Sequence, residues 1–316
     1  MLQIVINPAG ASGRTVQVWK KLEPIFKESG EEYKVYYSTF NHGIRKIVEE
    51  LTCEPCDLVI IGGDGTMNLV VNGIQDFSHT RVGFISVGSG NDFSRGLGLS
   101  KSPEENARII LSRKYSRFVD IGETIYLNRF DELEKENVEK DGFVHRRFLI
   151  SSGIGFDAAI CQGVQTSPAK KKLNKIHLGR LIYLDIAAQI IAKIETSDTI
   201  LKINGEELHY ENLLAMVAMN EPYEGGGFQF CPHAVDHDRK LNVCIGNHLS
   251  KFDFFRIFPF ALKGKHLRFE GVEEKQCQEI EVKTDQPMWV HTDGEVTCKS
   301  THIVVHLLNQ KMRMLQ

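Results

Sequence analysis

The sequence predicts two successive parts, an α/β domain built on a parallel sheet and then a mostly antiparallel β domain. Up to Tyr115, short apolar runs alternate with segments of helical spacing, the pattern of βαβ units. Beyond it, period-two runs separated by turn signals take over, which suits a sandwich or barrel. A length of 316 residues also favours two domains over one. The expected boundaries are 1–125 and 126–300, with 301–316 a final strand free to return to the first domain.

Leu2 to Ile6 is an apolar strand, followed by the small-residue loop Asn7-Pro8-Ala9-Gly10-Ala11-Ser12-Gly13. Val18, Leu22, Ile25 and Phe26 recur at i, i+4, i+7 and i+8, one face of a helix. Tyr33 to Ser38 reads as a strand and Ile44 to Leu51 as a helix. Asp57 to Ile61 is a continuous apolar run, the mark of a strand buried on both faces. The turn Gly62-Gly63-Asp64-Gly65-Thr66 follows, then a short helix with Thr66 near its start. Arg81 to Ser86 is the next strand. Ser102, Pro103 and Glu105 open a further helix as N-cap, first helical residue and capping box.

In the second part, Phe118 to Gly122 and Arg147 to Ile150 are strand signals. The charge-dense stretch Asp131 to Asp141 reads as a solvated hairpin tip. Asn204-Gly205 between two apolar runs signals a type I′ hairpin. Leu213 to Met219, Leu241 to Ile245, Glu279 to Thr284, Met288 to His291 and His302 to Leu308 add strands. Leu178 to Lys193 is the one long helix expected here.

Apolar content of 42% and charged content of 25% are ordinary for a globular chain. A net charge of -3 gives no general attraction to nucleic acid, which is excluded as a partner. No run approaches the roughly 20 apolar residues that span a bilayer. The N-terminal run meets Asn7-Pro8 too soon for a signal peptide. Seven scattered cysteines form no framework, so they are read as reduced and the protein as cytoplasmic. Cys53 and Cys56 form a lone C-x-x-C, without the second pair that a zinc ribbon needs.

The chemistry centres on Gly62 to Thr66. Three glycines in four residues let the backbone approach a ligand, and a helix N-terminus behind them suits phosphate. A carboxylate repels phosphate, so Asp64 suits a metal ion or a proton to be accepted. The plainer reading is a tight turn whose Asp is satisfied by local N–H groups, and the five residues leave both open. The Asn7 loop, the Thr39 region, the Gly62 turn and Val87 to Asp92 all fall at carboxyl ends of parallel strands, where such sheets bind ligands. No Walker A motif occurs, and Asn7 to Gly13 does not fit the Rossmann fingerprint.

In the β part, Glu224 to Phe228 and Pro232 to Asp238 offer oxygen donors for a hard cation, or a polar hairpin loop. His291-Thr292-Asp293-Gly294-Glu295 places two carboxylates around a glycine. Such a pair can divide acid and base roles, or simply make a type I turn. Phe252, Phe254, Phe255, Phe258 and Phe260 lie among Lys251, Arg256, Lys263 and Lys265. That composition suits a membrane interface or the packed side of a helix broken at Pro259. Lys170, Lys171, Lys172 and Lys175 form a basic run, a solvated face or an attraction to anionic lipid.

In this order the elements resemble the diacylglycerol kinase catalytic family, the lipid kinases that include sphingosine and ceramide kinases. The ordered set is Asn7-Pro8, Gly62 to Asn68, Gly88 to Phe93, Gly153-Ile154-Gly155-Phe156-Asp157-Ala158, Gly179 to Tyr183, Gly225 to Ala234 and Thr292 to Glu295. Each is weak alone; the resemblance covers nearly the whole chain. It implies a Rossmann-like α/β nucleotide domain followed by a β-sandwich lipid domain, as in NAD kinase and diacylglycerol kinase, with the site in the cleft between. It also implies transfer of the γ-phosphoryl of ATP to a lipid hydroxyl, with diacylglycerol giving phosphatidic acid. The expected setting is the cytoplasm, with transient contact at the inner face of the membrane, and a homodimer is compatible with it.

The resemblance assigns ATP to Asn7, Pro8, Ala9, Gly10 and Ala11, to Thr39, to Gly62, Gly63, Asp64, Gly65, Thr66, Met67 and Asn68, and to Ser89, Asn91 and Asp92. Glu295 and Asp293 become the candidate proton acceptors. Asp64 would place catalytic Mg2+ or polarise the hydroxyl, and Asp120 would steady the site through water. A structural Mg2+ is implied at the Asp238 carboxylate and the carbonyls of Val235 and Lys240. Two departures stand out: Arg239 replaces the glycine usual after the metal-loop Asp, and Gly10-Ala11 replaces Ala-Gly or Ser-Gly. NAD kinase shares the GGDGT turn, and Asn220-Glu221 resembles its Asn-Glu motif. Gly88 to Phe93 and Gly225 to Ala234 fit the lipid kinases better. A non-catalytic nucleotide sensor is the rival from another class, and the full set of carboxylates argues against it.

Overall fold

The computed structural model describes residues 1–88, 90–114, 116–133, 138–166, 189 and 196–316. Ser89, the basic run at 170–175, the Gly179 motif and nearly all of the helix expected at 178–193 lie outside the described residues. The chain divides into Met1–Ile121 with Asn309–Gln316, and Gly122–Leu308.

In the first unit, β1 (Leu2–Ile6), β2 (Tyr33–Tyr37), β3 (Cys56–Gly62) and β4 (Thr80–Ser86) form a parallel sheet in the order β4-β3-β1-β2. Residues 309–315 add a parallel partner beyond β4, through Arg313 opposite Arg81 and Met314 opposite Val82. Helices α1 (Arg14–Glu28), α2 (Ile44–Leu51) and α3 (Asp64–Gly73) make the crossovers. The connection β1 to β2 runs one way along the sheet and β2 to β3 to β4 the other. Right-handed crossovers therefore put α1 on one face and α2 with α3 on the opposite face. The short α4 (Asp92–Gly96) and α5 (Pro103–Ser112) follow β4.

Leu2, Ile4 and Ile6 point to one face and pack with Trp19, Leu22, Phe26, Ala107 and Ile110 from α1 and α5. Val5, Leu58 and Ile60 are equally buried on the other face, which is why β1 and β3 read as unbroken apolar runs. Helix α3 begins at Asp64, two residues before the expected start. Ser102 caps α5 by accepting from Glu105 N at 3.2 Å. The capping box is incomplete, because the Glu105 carboxylate bonds Ser100 Oγ instead.

In the second unit the strand pairings with a described register are antiparallel. Its strands begin with the end of β5 (Ser116–Tyr126), then β6 (Val138–Lys140), β7 (Phe143–Phe148) and β8 (Ser151–Gly155). Helix α6 (Phe156–Thr166) follows, then β9 (Ser197–Ile203) and β10 (Glu206–Met219). The short β11 (Tyr223–Glu224) and β12 (Phe228–Gln229) precede β13 (Leu241–Asn247), α7 (Lys251–Ala261) and β14 (Val272–Cys277). The chain ends with β15 (Glu279–Thr292) and β16 (Glu295–Leu315). The long β10 and β15 each pair with β9 over one half and β8 over the other, so the sheet wraps around a shared core. Tyr126, Phe148, Leu201, Met216, Val243, Ile280, Val290 and Ile303 fill that core.

Asn204 and Gly205 take φ of 52° and 86°, the type I′ geometry their sequence signals. The charged stretch behaves differently: its turn is Asp141-Gly142, and Val138–Lys140 is already strand paired to β7. Two strands expected between Glu279 and His291 are one strand. Its register shifts between Lys283 and Met288, where Pro287 has no N–H to give the ladder.

Candidate active site

In the first unit the sheet order reverses between β1 and β3, and the loops leaving these two strands flank that switch point. They are tied together: Asn7 Nδ2 donates to Thr66 Oγ1 at 3.3 Å, while Asn7 Oδ1 accepts from Ala9 N at 3.1 Å. Thr15 Oγ1 donates to the Asn7 carbonyl at 2.5 Å. Ala11 holds a left-handed φ of 49°. The family's glycine would occupy that conformation with less strain. A Cβ on Gly62 would lie 2.6 Å from the Thr66 side chain, so only glycine lets Thr66 fold back over the turn.

The third loop meets the second. A Cβ on Gly88 would lie 3.0 Å from Gly63 Cα and 2.8 Å from Asn91 Oδ1. Val87 N donates to the Gly62 carbonyl at 2.8 Å, and Ser86 Oγ donates to Asn91 Oδ1 at 2.5 Å. Two glycine loops in backbone contact leave no room for a side chain between them. Gly88→Ala is therefore expected to push them apart and weaken ATP binding about tenfold, measured by titration calorimetry.

Asp64 joins these loops. Its Oδ2 accepts from Asp92 N at 3.1 Å and its Oδ1 from Phe93 N at 3.3 Å, so its carboxylate caps the short α4. Gly63, Asp64, Gly65 and Asn91 stay partly exposed, as do Asn7, Pro8 and Gly10, while Ala9 and Thr39 are exposed. Thr66, Met67, Asn68 and Asp92 are buried beneath the loops they hold. Asp92 pairs with Arg95, whose Nη2 also donates to the Gly90 carbonyl at 3.2 Å. Thr39 N donates to the His42 carbonyl at 2.9 Å, which curls its loop. Asp120 is fully buried on β5, 3.0 Å from Lys311 Nζ on the returning strand. This ion pair ties the C-terminal segment to β5.

In the second unit, Asp293 and Gly294 form the two-residue turn between β15 and β16, with Thr292 opposite Glu295. Their φ of 51° and 76° make the turn type I′, not the type I its residues suggest. Asp293 Oδ1 accepts from the N–H groups of Leu149, Ile150 and Ser151 at 3.2, 2.8 and 3.2 Å. Its Oδ2 accepts from Leu149 N at 3.1 Å. Asn220 holds the same segment from its other side, donating to the Leu149 carbonyl at 2.9 Å. Asp293 is therefore committed to the backbone. Glu295 is partly exposed at the first position of β16.

Behind the turn lies a group that sequence reasoning did not assemble. Asp157, Cys161, Glu224 and His291 bring ligand-type atoms within 4.8 Å of one another. Asp157 and His291 Nε2 are bonded directly, and Glu224 Oε1 lies 3.4 Å from the same nitrogen. His291 Nδ1 accepts the Gly294 N–H at 3.0 Å, and Gln165 Nε2 donates to the Gly294 carbonyl at 2.8 Å. Gly153 is the local signal for this group, since a Cβ there would strike His291 and Asp157. Glu224 and His291 stand far from Asp157 and Cys161, and from each other, in the sequence.

Two demands meet at the His291 ring. The carboxylates at Nε2 favour the imidazolium, whereas the Gly294 N–H at Nδ1 favours a neutral ring. One such hydrogen bond contributes about 1 kcal/mol, and each pKa unit represents about 1.4 kcal/mol. Burial pushes the group down, but Asp157 and Glu224 outweigh it and raise it from 6.5 to about 9. A pKa raised on folding adds stability that is complete below about pH 6.5 and lost as pH rises through about 9. Urea midpoints taken with a chelator present are expected to show this decline, and His291→Gln to flatten it.

At the expected structural metal loop, Asp238 Oδ1 accepts from Lys240 N at 3.0 Å. Arg239 takes φ of 65°, the conformation the family's glycine would supply, and its Nη1 donates to the Leu308 carbonyl at 2.5 Å. The guanidinium is thus bonded to a backbone carbonyl, and the Asp238 carboxylate with the Val235 and Lys240 carbonyls are the oxygen type a hard cation prefers. Cys53 donates to the Glu49 carbonyl, and burial lifts the Cys56 thiol to about 11, which disfavours a thiolate at Cys56.

The family model for the diacylglycerol kinase catalytic domain matches residues 1–124. The model for the YegS C-terminal NAD kinase beta sandwich-like domain matches residues 152–315. The chain belongs to the diacylglycerol kinase catalytic-domain family. As a member of that family it is a lipid kinase. It is 24% identical over 302 residues to the diacylglycerol kinase of Bacillus subtilis, covering 93% of this chain and 89% of that protein. Its fold is similar to a diacylglycerol kinase crystal structure from Bacillus anthracis, with a TM-score of 0.70 at 18% identity, covering 99% and 96% of the two chains. It is similar, more distantly, to the NAD kinase of Archaeoglobus fulgidus in complex with ATP. That likeness has a TM-score of 0.51 at 13% identity and covers 100% and 94% of the chains. The kinase thus combines an α/β unit with an NAD kinase-like β-sandwich.

Proposed function

We propose that this kinase transfers the γ-phosphoryl of ATP to the hydroxyl of diacylglycerol, giving phosphatidic acid in the cytoplasm at the inner face of the membrane. The observation that carries the reading is the pair of glycine turns pinned by Asp64 at the switch point of the first unit. Loops of this kind offer backbone N–H groups to phosphate without side-chain obstruction. Phosphoryl transfer depends on positioning and charge neutralisation more than on covalent chemistry. Mg2+, when bound, would supply that neutralisation, and the Asp64 carboxylate is the kind of hard oxygen donor it takes. Glu295 accepts the proton of the attacking hydroxyl, with its turn held by Asp293 and His291. A second Mg2+ at Asp238 would brace the sandwich loop.

Against the NAD kinase reading weighs the burial of the Asn-Glu pair it rests on. Asn220 and Glu221 are fully buried, and the Asn220 amide is bonded to the Leu149 carbonyl. Substrate choice is tested by initial rates on diacylglycerol, monoacylglycerol, sphingosine and ceramide at equal mole fraction in mixed micelles. The largest kcat/KM is expected for diacylglycerol; a higher value for a sphingoid base would overturn the assignment.

A further inference from the structure

We infer that one face of α7, with the turn that follows it, docks the kinase on an anionic phospholipid bilayer; the inference rests on the lipid-kinase reading above. Helix α7 is firmly seated on its inner side. Ile257 and Ala261 are buried, and the Phe258 ring packs on Phe228 with centroids 4.3 Å apart. Ser250 and Asp253 close a full capping box at its start. The exposed face is therefore not the result of a fraying helix.

That face is apolar where a surface helix should be polar. Phe252 is 77% exposed, Phe255 48% and Leu262 41%, and exposed Pro259 lies between them. At 3.6 residues per turn these positions share one side of the helix, with Arg256 and Lys263 beside them. A water-exposed ring of this size is costly, and two within one turn mark a surface meant to be covered.

The charge pattern identifies the cover. Over residues 250–270 the chain carries Lys251, Arg256, Lys263, Lys265 and Arg268 against Asp253 and Glu270, a local excess of three positive charges in a chain of net charge -3. Asp253 is already engaged, by the Ser250 cap and by Arg256 at 3.3 Å. The guanidiniums are held at the rim by aromatic rings: Arg268 lies 4.2 Å from the Phe260 centroid and Arg256 5.4 Å from that of Phe269. Apolar rings flanked by fixed cations match the boundary between acyl chains and anionic headgroups.

The test is sedimentation of the full-length protein, without ATP, with phosphatidylcholine vesicles that contain or lack phosphatidylglycerol. The wild type is expected to bind the anionic vesicles, less tightly as salt rises. The double variant Phe252→Ser with Phe255→Ser is expected to bind at least about tenfold more weakly. Arg256→Gln with Lys263→Gln should weaken binding and reduce its salt dependence. All variants should phosphorylate dihexanoylglycerol, supplied as a monomer in solution, at the wild-type rate. Unchanged vesicle binding by the Phe variant overturns the docking face. So does a lipid-free dimer of the wild type that the Phe variant abolishes, since a second copy would then be the cover. Failure of the wild type to phosphorylate dihexanoylglycerol would instead overturn the substrate reading, whatever the vesicles show.

Discussion

Replacing Asp64 with Asn is expected to lower kcat by about 10³-fold while the protein stays folded. The geometry explains both halves. Asp64 accepts one N–H from Asp92 and one from Phe93, so its shape is required by the loops. Asn keeps that shape and one good acceptor, but its amide nitrogen then faces the other N–H. Such a mismatch costs about 1–3 kcal/mol, within the 5–15 kcal/mol by which domains are usually stable. The negative charge that a divalent cation needs is gone. Thermal unfolding and ATP titration of the variant separate the effects: near-native folding and nucleotide binding with turnover lost. Wild-type turnover by the folded variant would remove Asp64 from the mechanism.

Glu295→Gln should be the second severe variant, with kcat down by about 10²–10⁴-fold and ATP affinity unchanged. Glutamine matches glutamate in size but cannot accept the hydroxyl proton. The informative control is its neighbour. Asp293 has its oxygens on three backbone N–H groups, so Asp293→Ala should strip the 149–151 segment of its anchor. Its first symptom is a lowered unfolding midpoint, by contrast with Glu295→Gln, which should melt like the wild type. Equal loss of stability in both would assign the whole turn to scaffolding.

Much of the first unit was legible because each level of the sequence agrees with the next. Apolar runs, helix periods and glycine turns fell where the strands, helices and loops are, and the switch point followed from their alternation. Asp64 was legible only as an alternative. Its plain reading, a carboxylate on local N–H groups, describes what it touches, while its functional reading depends on what the loops bind. Asp293 shows the converse. Two carboxylates around a glycine looked equivalent, and only the fold of 149–151 against the turn shows that Asp293 anchors the backbone. Asp157, Glu224 and His291 are separated by more than sixty residues each, so no local pattern unites them. The glycines replaced by Ala11 and Arg239 had a physical trace: both positions adopt positive φ, at 49° and 65°.

The most direct measurement offers the purified protein γ-labelled ATP with Mg2+, diacylglycerol micelles and NAD in one vessel, and asks where the label goes. Label is expected in the lipid phase as phosphatidic acid, none on NAD, and about 10³-fold less of it with Asp64→Asn. Label on NAD, or ATP bound without transfer to lipid, would contradict that expectation.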